Sequence, residues 1–374
     1  MSSLQKFQIF QIDPGFPYQI KIQSSKKPSD PDHIVAMAEW FGENPGIGSK
    51  PRHKPIKAAY LRPVAQGWND SFTAPKKAHF LRVAIHHWIQ LSRPLSSKYT
   101  FRLKKLSKIQ RGPITLGVAY QSHPPQTTWN KNMAITCKTI LDAGRQGVDL
   151  LCLSEVFLSR GVSGNKKDLA VPIESPLLRP LFVAAQKAKV HVALSVSEKS
   201  KGHFYNTAIL ISPQGKLLGS YRKRSLTFDE LERGIIPGKK ACVIDTELGK
   251  IGLIICWDAW FPETARALAQ QGAEVICLPI AGNGNPPAWE HVWRARAIDN
   301  QLFWLTSVTQ NCGGRAPSRI ISPEGKLLAH TKKANGIAKT TVHLDRRQES
   351  FWLSIPDTFS ENRNVMDYSY RPSA

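Results

Sequence analysis

From residue 114 onward, short apolar runs alternate with stretches whose apolar residues recur every three or four positions. Residues 114–120 read as a compact buried strand. Over 130–146, Met133, Ala134, Cys137, Ile140 and Leu141 fall on one face of a helix. The same reading predicts strands at 148–153 and 190–196, with a helix at 176–189 between them. Strands 205–211 and 216–221 follow, joined by Ser212-Pro-Gln-Gly215, a turn sequence suited to a hairpin. After a loop to Gly238, a strand pair at 241–245 and 250–255 is expected. Helix 262–271 has proline in its first turn, and strand 274–279, helix 289–301 and strand 302–309 come next. A second hairpin at 320–330 repeats the turn as Ser322-Pro-Glu-Gly325, and strand 336–344 closes the region. The two Ser-Pro-x-Gly-Lys-Leu-Leu segments read as related elements in two halves. Alternating strands and helices predict a layered α/β core.

The first 110 residues differ. β-like runs at 7–12, 18–23, 59–63, 80–91 and 99–106 are separated by loops rich in Pro, Gly, Ser and Lys, which predicts a small β-rich module. The run 80–91 has an ambiguous period and also fits a short helix. The expected division is a basic N-terminal module at 1–111, a main domain at 112–345, and a tail at 346–374. The tail is rich in aromatic residues and is expected to pack over a neighbour or a partner subunit.

Charge sharpens this division. The net charge is +23, and 19 Lys or Arg stand against 6 Asp or Glu before Gly112. That module therefore carries +13, enough to hold nucleic acid or an acidic partner, although no base-reading motif is present and a solvated surface is the plain alternative. No apolar run approaches a bilayer span, and the N-terminus lacks the apolar stretch of a secretory signal. The six cysteines show no paired short spacing, so they read as reduced thiols in a cytoplasmic protein rather than a disulfide framework or zinc site. Adjacent His86 and His87 would point to opposite faces of a strand and are not read as metal ligands.

Three polar residues follow apolar strand runs. Glu155 ends Leu150-Leu-Cys-Leu-Ser-Glu155, Lys223 ends Tyr221-Arg-Lys223, and Cys256 ends Ile251-Gly-Leu-Ile-Ile-Cys256. Strand ends are where α/β folds gather ligand-binding loops. A cysteine at a strand-to-helix turn, near backbone N–H groups and a helix N-terminus, is expected to favour the reactive thiolate. Cys277, inside an apolar strand run, illustrates the packing alternative.

The stretches around these residues resemble the three motifs of the nitrilase superfamily of carbon–nitrogen hydrolases. They are Leu150-Leu-Cys-Leu-Ser-Glu-Val-Phe-Leu158, Tyr205-Asn-Thr through Lys223, and Cys256-Trp-Asp-Ala-Trp-Phe-Pro-Glu263. Ser154 stands where that family often has proline, and Ser225 where it often has histidine. The resemblance implies a four-layer αββα sandwich and a Glu–Lys–Cys site that needs neither metal nor cofactor. In it Cys256 is the nucleophile, Glu155 shuttles protons, and Lys223 stabilises a developing oxyanion with the Trp257 backbone N–H. A second glutamate is implied after the lysine. Glu232 is the better match, with Glu230 the competing residue. Trp257, Trp260, Asn283 and Trp289 are the expected substrate contacts.

The implied reaction is hydrolysis of a small amide or N-carbamoyl compound with ammonia release through a thioester. Nitrile hydrolysis, acyl transfer, or a binding role for the basic module are the alternatives. The resemblance also implies a homodimer or larger assembly.

Overall fold

The structure is a computed structural model. It describes residues 3–14, 16–25, 34–46, 53–60, 63–64, 67–74, 77–87, 98–105, 112–165, 167–282, 286–310, 316–344, 351–352 and 355–356. The chain divides into two compact units, one of Met1–Gln110 together with Gln348–Ala374 and the other of Arg111–Arg347.

The first unit is a β-sandwich. Its strands are β1 (Ser3–Gln11), β2 (Pro17–Ser24), β3 (Ile34–Phe41), β4 (Lys57–Tyr60), β5 (Pro63–Val64), β6 (Gly67–Thr73), β7 (Phe80–His87) and β8 (Tyr99–Lys105). They form two four-stranded sheets, in the orders β1-β7-β3-β4 and β5-β6-β2-β8. Ile20, Ile22, Ala36, Ala38, Trp40, Leu81, Val83 and Ile85 pack between them. The run at 80–91 resolves as the strand Phe80–His87, while residues 88–91 lie outside the described residues. Strands β3 and β6 were not legible in the sequence. On β3, Glu39 is buried as well as Ala38 and Trp40, so polarity does not alternate along the strand. Glu39 accepts a hydrogen bond from the buried Arg82 at 3.1 Å, which satisfies a charge that burial would otherwise penalise.

The second unit is the αββα sandwich. One six-stranded sheet contains β9 (Ile114–Tyr120), β10 (Leu150–Cys152), β11 (His191–Ser200), β12 (His203–Ile211) and β13 (Leu217–Arg222). The other contains β14 (Cys242–Thr246), β15 (Gly249–Leu253), β16 (Val275–Ile280), β17 (Phe303–Val308), β18 (Ser318–Ile321) and β19 (Leu327–Thr331). Strand β20 (Gly336–Val342) completes the first sheet, giving the orders β13-β12-β11-β10-β9-β20 and β14-β15-β16-β17-β18-β19.

Leu116, Val118, Leu150 and Ala193 from one sheet join Val275, Cys277 and Leu305 from the other in a single apolar cluster. Helices α1 (Trp129–Arg145) and α2 (Arg179–Ala188) cover the outer face of the first sheet, where Ile140, Ala143, Leu181 and Ala185 meet Leu151, Val192 and Leu194. After β13 comes a short α3 (Phe228–Glu232), in the loop expected to run to Gly238. Helices α4 (Pro262–Gln270) and α5 (Pro286–Asn300) pack Leu268, Trp293 and Ala297 into the cluster that includes the second sheet. Strands β10 and β16 are buried on both faces, which is why their sequences read as unbroken apolar runs.

The two hairpins are built alike. Ser212 Oγ accepts from Gln214 N and Lys216 N, and Ser322 Oγ accepts from Glu324 N and Lys326 N. Each turn needs a glycine at positive φ, +67° at Gly215 and +77° at Gly325. Each hairpin ends in an edge strand, β13 or β19. The equivalence of the two halves, read from the repeated septet, is thus present in the hydrogen bonds.

Candidate active site

Three strand ends bring the chemistry together. Glu155 leaves β10, Lys223 follows β13, and Cys256 follows β15, so the site joins both sheets. Glu155 and Lys223 are only 2% and 1% exposed, and Cys256 is buried as well. Lys223 Nζ donates to Glu155 Oε1 at 3.0 Å and to Glu230 Oε2 at 2.8 Å. Asn206 Nδ2 spans the same two carboxylates, at 2.7 Å to Glu155 Oε1 and 2.9 Å to Glu230 Oε1. Glu155 Oε2 accepts the Ala281 N–H at 2.8 Å. Buried charge is tolerated here because each ion has charged and hydrogen-bonded partners.

The second carboxylate is a correction to the sequence reading. Glu232 is exposed, and Glu230 is the residue that reaches Lys223. Thr227 caps α3, and the Glu230 side chain turns back to accept the Thr227 N–H at 2.9 Å, closing a capping box. That backward turn aims the carboxylate at the buried ammonium. Glu232, two residues on, faces outward.

Backbone geometry at the two reacting ends is unusual. Cys256 has φ +45° and Val156, next to Glu155, has φ +40°. Left-handed backbone is costly for a side chain, most of all a β-branched one, and is kept only where the surroundings hold it. Asp258 supplies that hold at the cysteine. It accepts from Ile255 N at 2.9 Å, from Ser225 N at 2.8 Å and from Tyr221 OH at 2.8 Å. One buried carboxylate therefore ties the cysteine turn to the segment that carries Lys223. Gly238 tightens the same corner: a Cβ there would lie 2.1 Å from the Arg222 carbonyl oxygen.

The two departures from the family pattern are absorbed locally. Ser154 N–H and Oγ–H both donate to Gln121 Oε1 at 2.8 Å, using a donor that proline lacks. Ser225 gives its backbone N–H to Asp258.

Electrostatics set the resting protonation. Burial pushes the Glu155 carboxyl up, but the charges of Lys223 and Arg160 and hydrogen bonds from Lys223 and Ala281 outweigh it and bring it down to about 2. Burial favours the neutral amine of Lys223, yet Glu155, Cys256 and Glu230 raise it well above an ordinary lysine. Burial, then the Glu155 charge, pushes the Cys256 thiol far up against the opposing pull of Lys223. The resting trio is therefore thiol, carboxylate and ammonium. This corrects the expected thiolate: Cys256 opens a five-residue 3-10 turn (Cys256–Trp260), and the α-helix begins only at Pro262.

A cavity of about 240 Å3 opens onto Cys256, lined by Glu155, Arg160, Asn206, Lys223 and Glu230 among others. Trp257, Trp260 and Trp289 do not line it. They pack against one another, Trp257–Trp260 tilted with ring centroids 5.6 Å apart and Trp260–Trp289 edge to face at 5.3 Å. Residues three apart on a 3-10 turn share a face, and that face meets α5 rather than the cavity. Asn283 lies outside the described residues. Among the described residues, no group of three His, Cys, Asp or Glu is placed to hold a metal ion, and no helix is long and apolar enough to cross a membrane. Asn206, Asp258 and Arg160 were missed. Asn206 carried a signal as part of the Tyr205-Asn-Thr lead-in, and Asp258 as part of the Cys256-Trp-Asp motif, while Arg160 carried none.

The carbon–nitrogen hydrolase family model matches residues 117–350. The chain belongs to the carbon–nitrogen hydrolase family. Among similar proteins, a hydrolase of Schizosaccharomyces pombe is 32% identical over 249 residues, covering 63% of this chain and 75% of that protein. The omega-amidase NIT2 of Mus musculus is 32% identical over 235 residues, covering 58% and 85%. A crystal structure of an amidase from Nesterenkonia sp. superposes with a TM-score of 0.55 at 21% identity, covering 69% of this chain and 97% of that one. Within a carbon–nitrogen hydrolase, the joined strand ends at Glu155, Lys223 and Cys256 are the natural place to look for the chemistry.

Proposed function

We propose that this carbon–nitrogen hydrolase cleaves a primary amide, releasing ammonia through a thioester on Cys256. The hydrogen-bonded bridge from Glu155 through Lys223 to Glu230, beside the buried Cys256, is the observation that carries this reading. The Cys256 thiol proton passes to the Glu155 carboxylate as sulfur attacks the carbonyl carbon. The oxygen gains negative charge, and the Lys223 ammonium, already cationic, stabilises it together with the Trp257 backbone N–H. Glu155 then gives its proton to nitrogen, the C–N bond breaks, ammonia leaves and the thioester remains. Water enters, loses a proton to Glu155, and its oxygen attacks the thioester. The freed sulfur recovers that proton. Glu230 and Asn206 keep Lys223 and Glu155 in register throughout.

A second cavity of about 270 Å3 shares Ser197, Tyr205, Arg233 and Ile235 with the first and adds Lys167 and Phe204. Arg233 is engaged by Asp229, while Lys167 lies over the Phe204 ring, 5.4 Å from its centroid. This antechamber suits an acyl chain that passes the two aromatic rings and ends in an anionic group, a reading in keeping with the omega-amidases among the similar proteins. The test is ammonia release across amides with neutral and carboxylated acyl ends, N-carbamoyl amines and nitriles. Turnover confined to nitriles, or unchanged in Cys256→Ala, overturns the reading.

A further inference from the structure

The β-sandwich presents two very different outer faces. On the sheet containing β3 and β7, the outward positions Glu39, Phe41, Arg82 and Ala84 are buried. On the other sheet, β2 and β8 turn Ile20, Ile22, Phe101 and Leu103 toward the core and Lys21, Gln23, Thr100, Arg102 and Lys104 to solvent.

The register places Lys21 directly opposite Arg102, with Gln19 opposite Lys104. Like charges facing each other across strands destabilise a sheet, and no ion pair among the described residues offsets them. Neither β2 nor β8 contains an acidic residue, and none of the three cations has an ion-pair partner among the described residues. Lys105, the last residue of β8, pairs with Asp13 at 2.6 Å, and beyond it Lys108 and Arg111 follow with no acid before Gly112.

We propose that this face of the N-terminal sandwich binds the phosphodiester backbone of nucleic acid. A strand rises about 3.4 Å per residue, so Arg102 and Lys104 stand about 7 Å apart. That is about twice the rise per phosphate along the axis of a duplex. Gln23 and Thr100 add hydrogen-bond donors of the kind that position phosphates. The outward residues of β2 and β8 include no aromatic ring, so contact is with backbone rather than bases and is independent of sequence. They also include no large apolar side chain to enter a lipid interface or form the apolar centre of a protein interface.

The test uses the full chain and a fluorescein-labelled 24-base-pair DNA of mixed sequence, titrated by anisotropy from 50 to 300 mM KCl. Binding is expected to weaken with salt, with a slope of about −0.9 in log K against log salt for each phosphate neutralised. The variant Lys21→Gln/Arg102→Gln/Lys104→Gln is expected to lose at least about tenfold in affinity and about 2 to 3 units of slope. Its circular dichroism and hydrolase activity should match the parent, since these side chains are exposed and outside the catalytic machinery. No binding at 50 mM KCl overturns the proposal, as does undiminished binding by the triple variant. Tighter association with phosphatidylserine vesicles or polyglutamate than with the DNA at the same salt overturns it too.

Discussion

Glu230 accepts a 2.8 Å hydrogen bond from Lys223 although it stands seven positions further on, past a helix start. The capping box that fixes the start of α3 also fixes a buried carboxylate beside the ammonium. Replacing Glu230 by Gln is expected to lower kcat by about 10²-fold, the scale of removing one electrostatic group from a preorganised site. Glu232→Gln should stay within about twofold of the parent. Steady-state kinetics on the two variants separate the residues directly, and the reverse ranking contradicts the assignment.

The thiol state of Cys256 gives a prediction with an unexpected sign. Glu155 helps hold that thiol protonated, through its negative charge. Glu155→Gln should therefore speed alkylation of Cys256 by iodoacetamide at pH 8 while reducing turnover. Lys223→Met should slow alkylation, because the cation pulls the thiol the other way. In the parent, the alkylation rate should be low at neutral pH and climb well above pH 9. Mass spectrometry of the Cys256 peptide against time provides the readout.

Acid stability follows from Glu155. Its carboxyl is held at about 2 in the folded protein, below the ordinary glutamate value of 4.5. A depressed folded value means the unfolded chain binds the proton first as pH falls. The stabilisation is therefore complete above about pH 5 and is lost as pH drops toward 2. Urea unfolding from pH 6 to pH 2.5 should show a steeper loss for the parent than for Glu155→Gln, whose overall stability is lower because Lys223 loses a buried partner. Parallel pH profiles would contradict this.

Asp258 should behave as a clamp. It accepts two backbone N–H groups and the Tyr221 hydroxyl while fully buried. Asp258→Asn replaces an acceptor oxygen with a donor and is expected to cost about 2 kcal/mol of stability or more. Tyr221→Phe removes one bond and should cost about 1 kcal/mol. Both are measurable from urea midpoints. If Asp258 positions Cys256, its variant should also lose kcat at unchanged KM, an effect that lost stability alone does not produce.

Much of the second unit was legible because its strands are short, apolar and punctuated by turns. The alternation of periods located α1, α2, α4 and most strands, and the repeated Ser-Pro-x-Gly septet located two equivalent hairpins. What escaped depended on tertiary geometry. Choosing Glu230 over Glu232 required knowing where α3 begins, since the capping box decides which side chain turns inward. The tryptophans after Cys256 lay in the right sequence neighbourhood, but the 3-10 turn rotates them toward α5. Strand β3 hid its period because a buried ion pair, Arg82–Glu39, occupies its other face.

The most direct test is to quench the enzyme during turnover of an amide substrate and weigh the peptide that carries Cys256. The account predicts an added mass equal to the acyl group on that cysteine, absent from Cys256→Ala, which should retain less than about 10⁻⁴ of parental kcat. An acyl adduct on any other residue, or full turnover by the alanine variant, would contradict it.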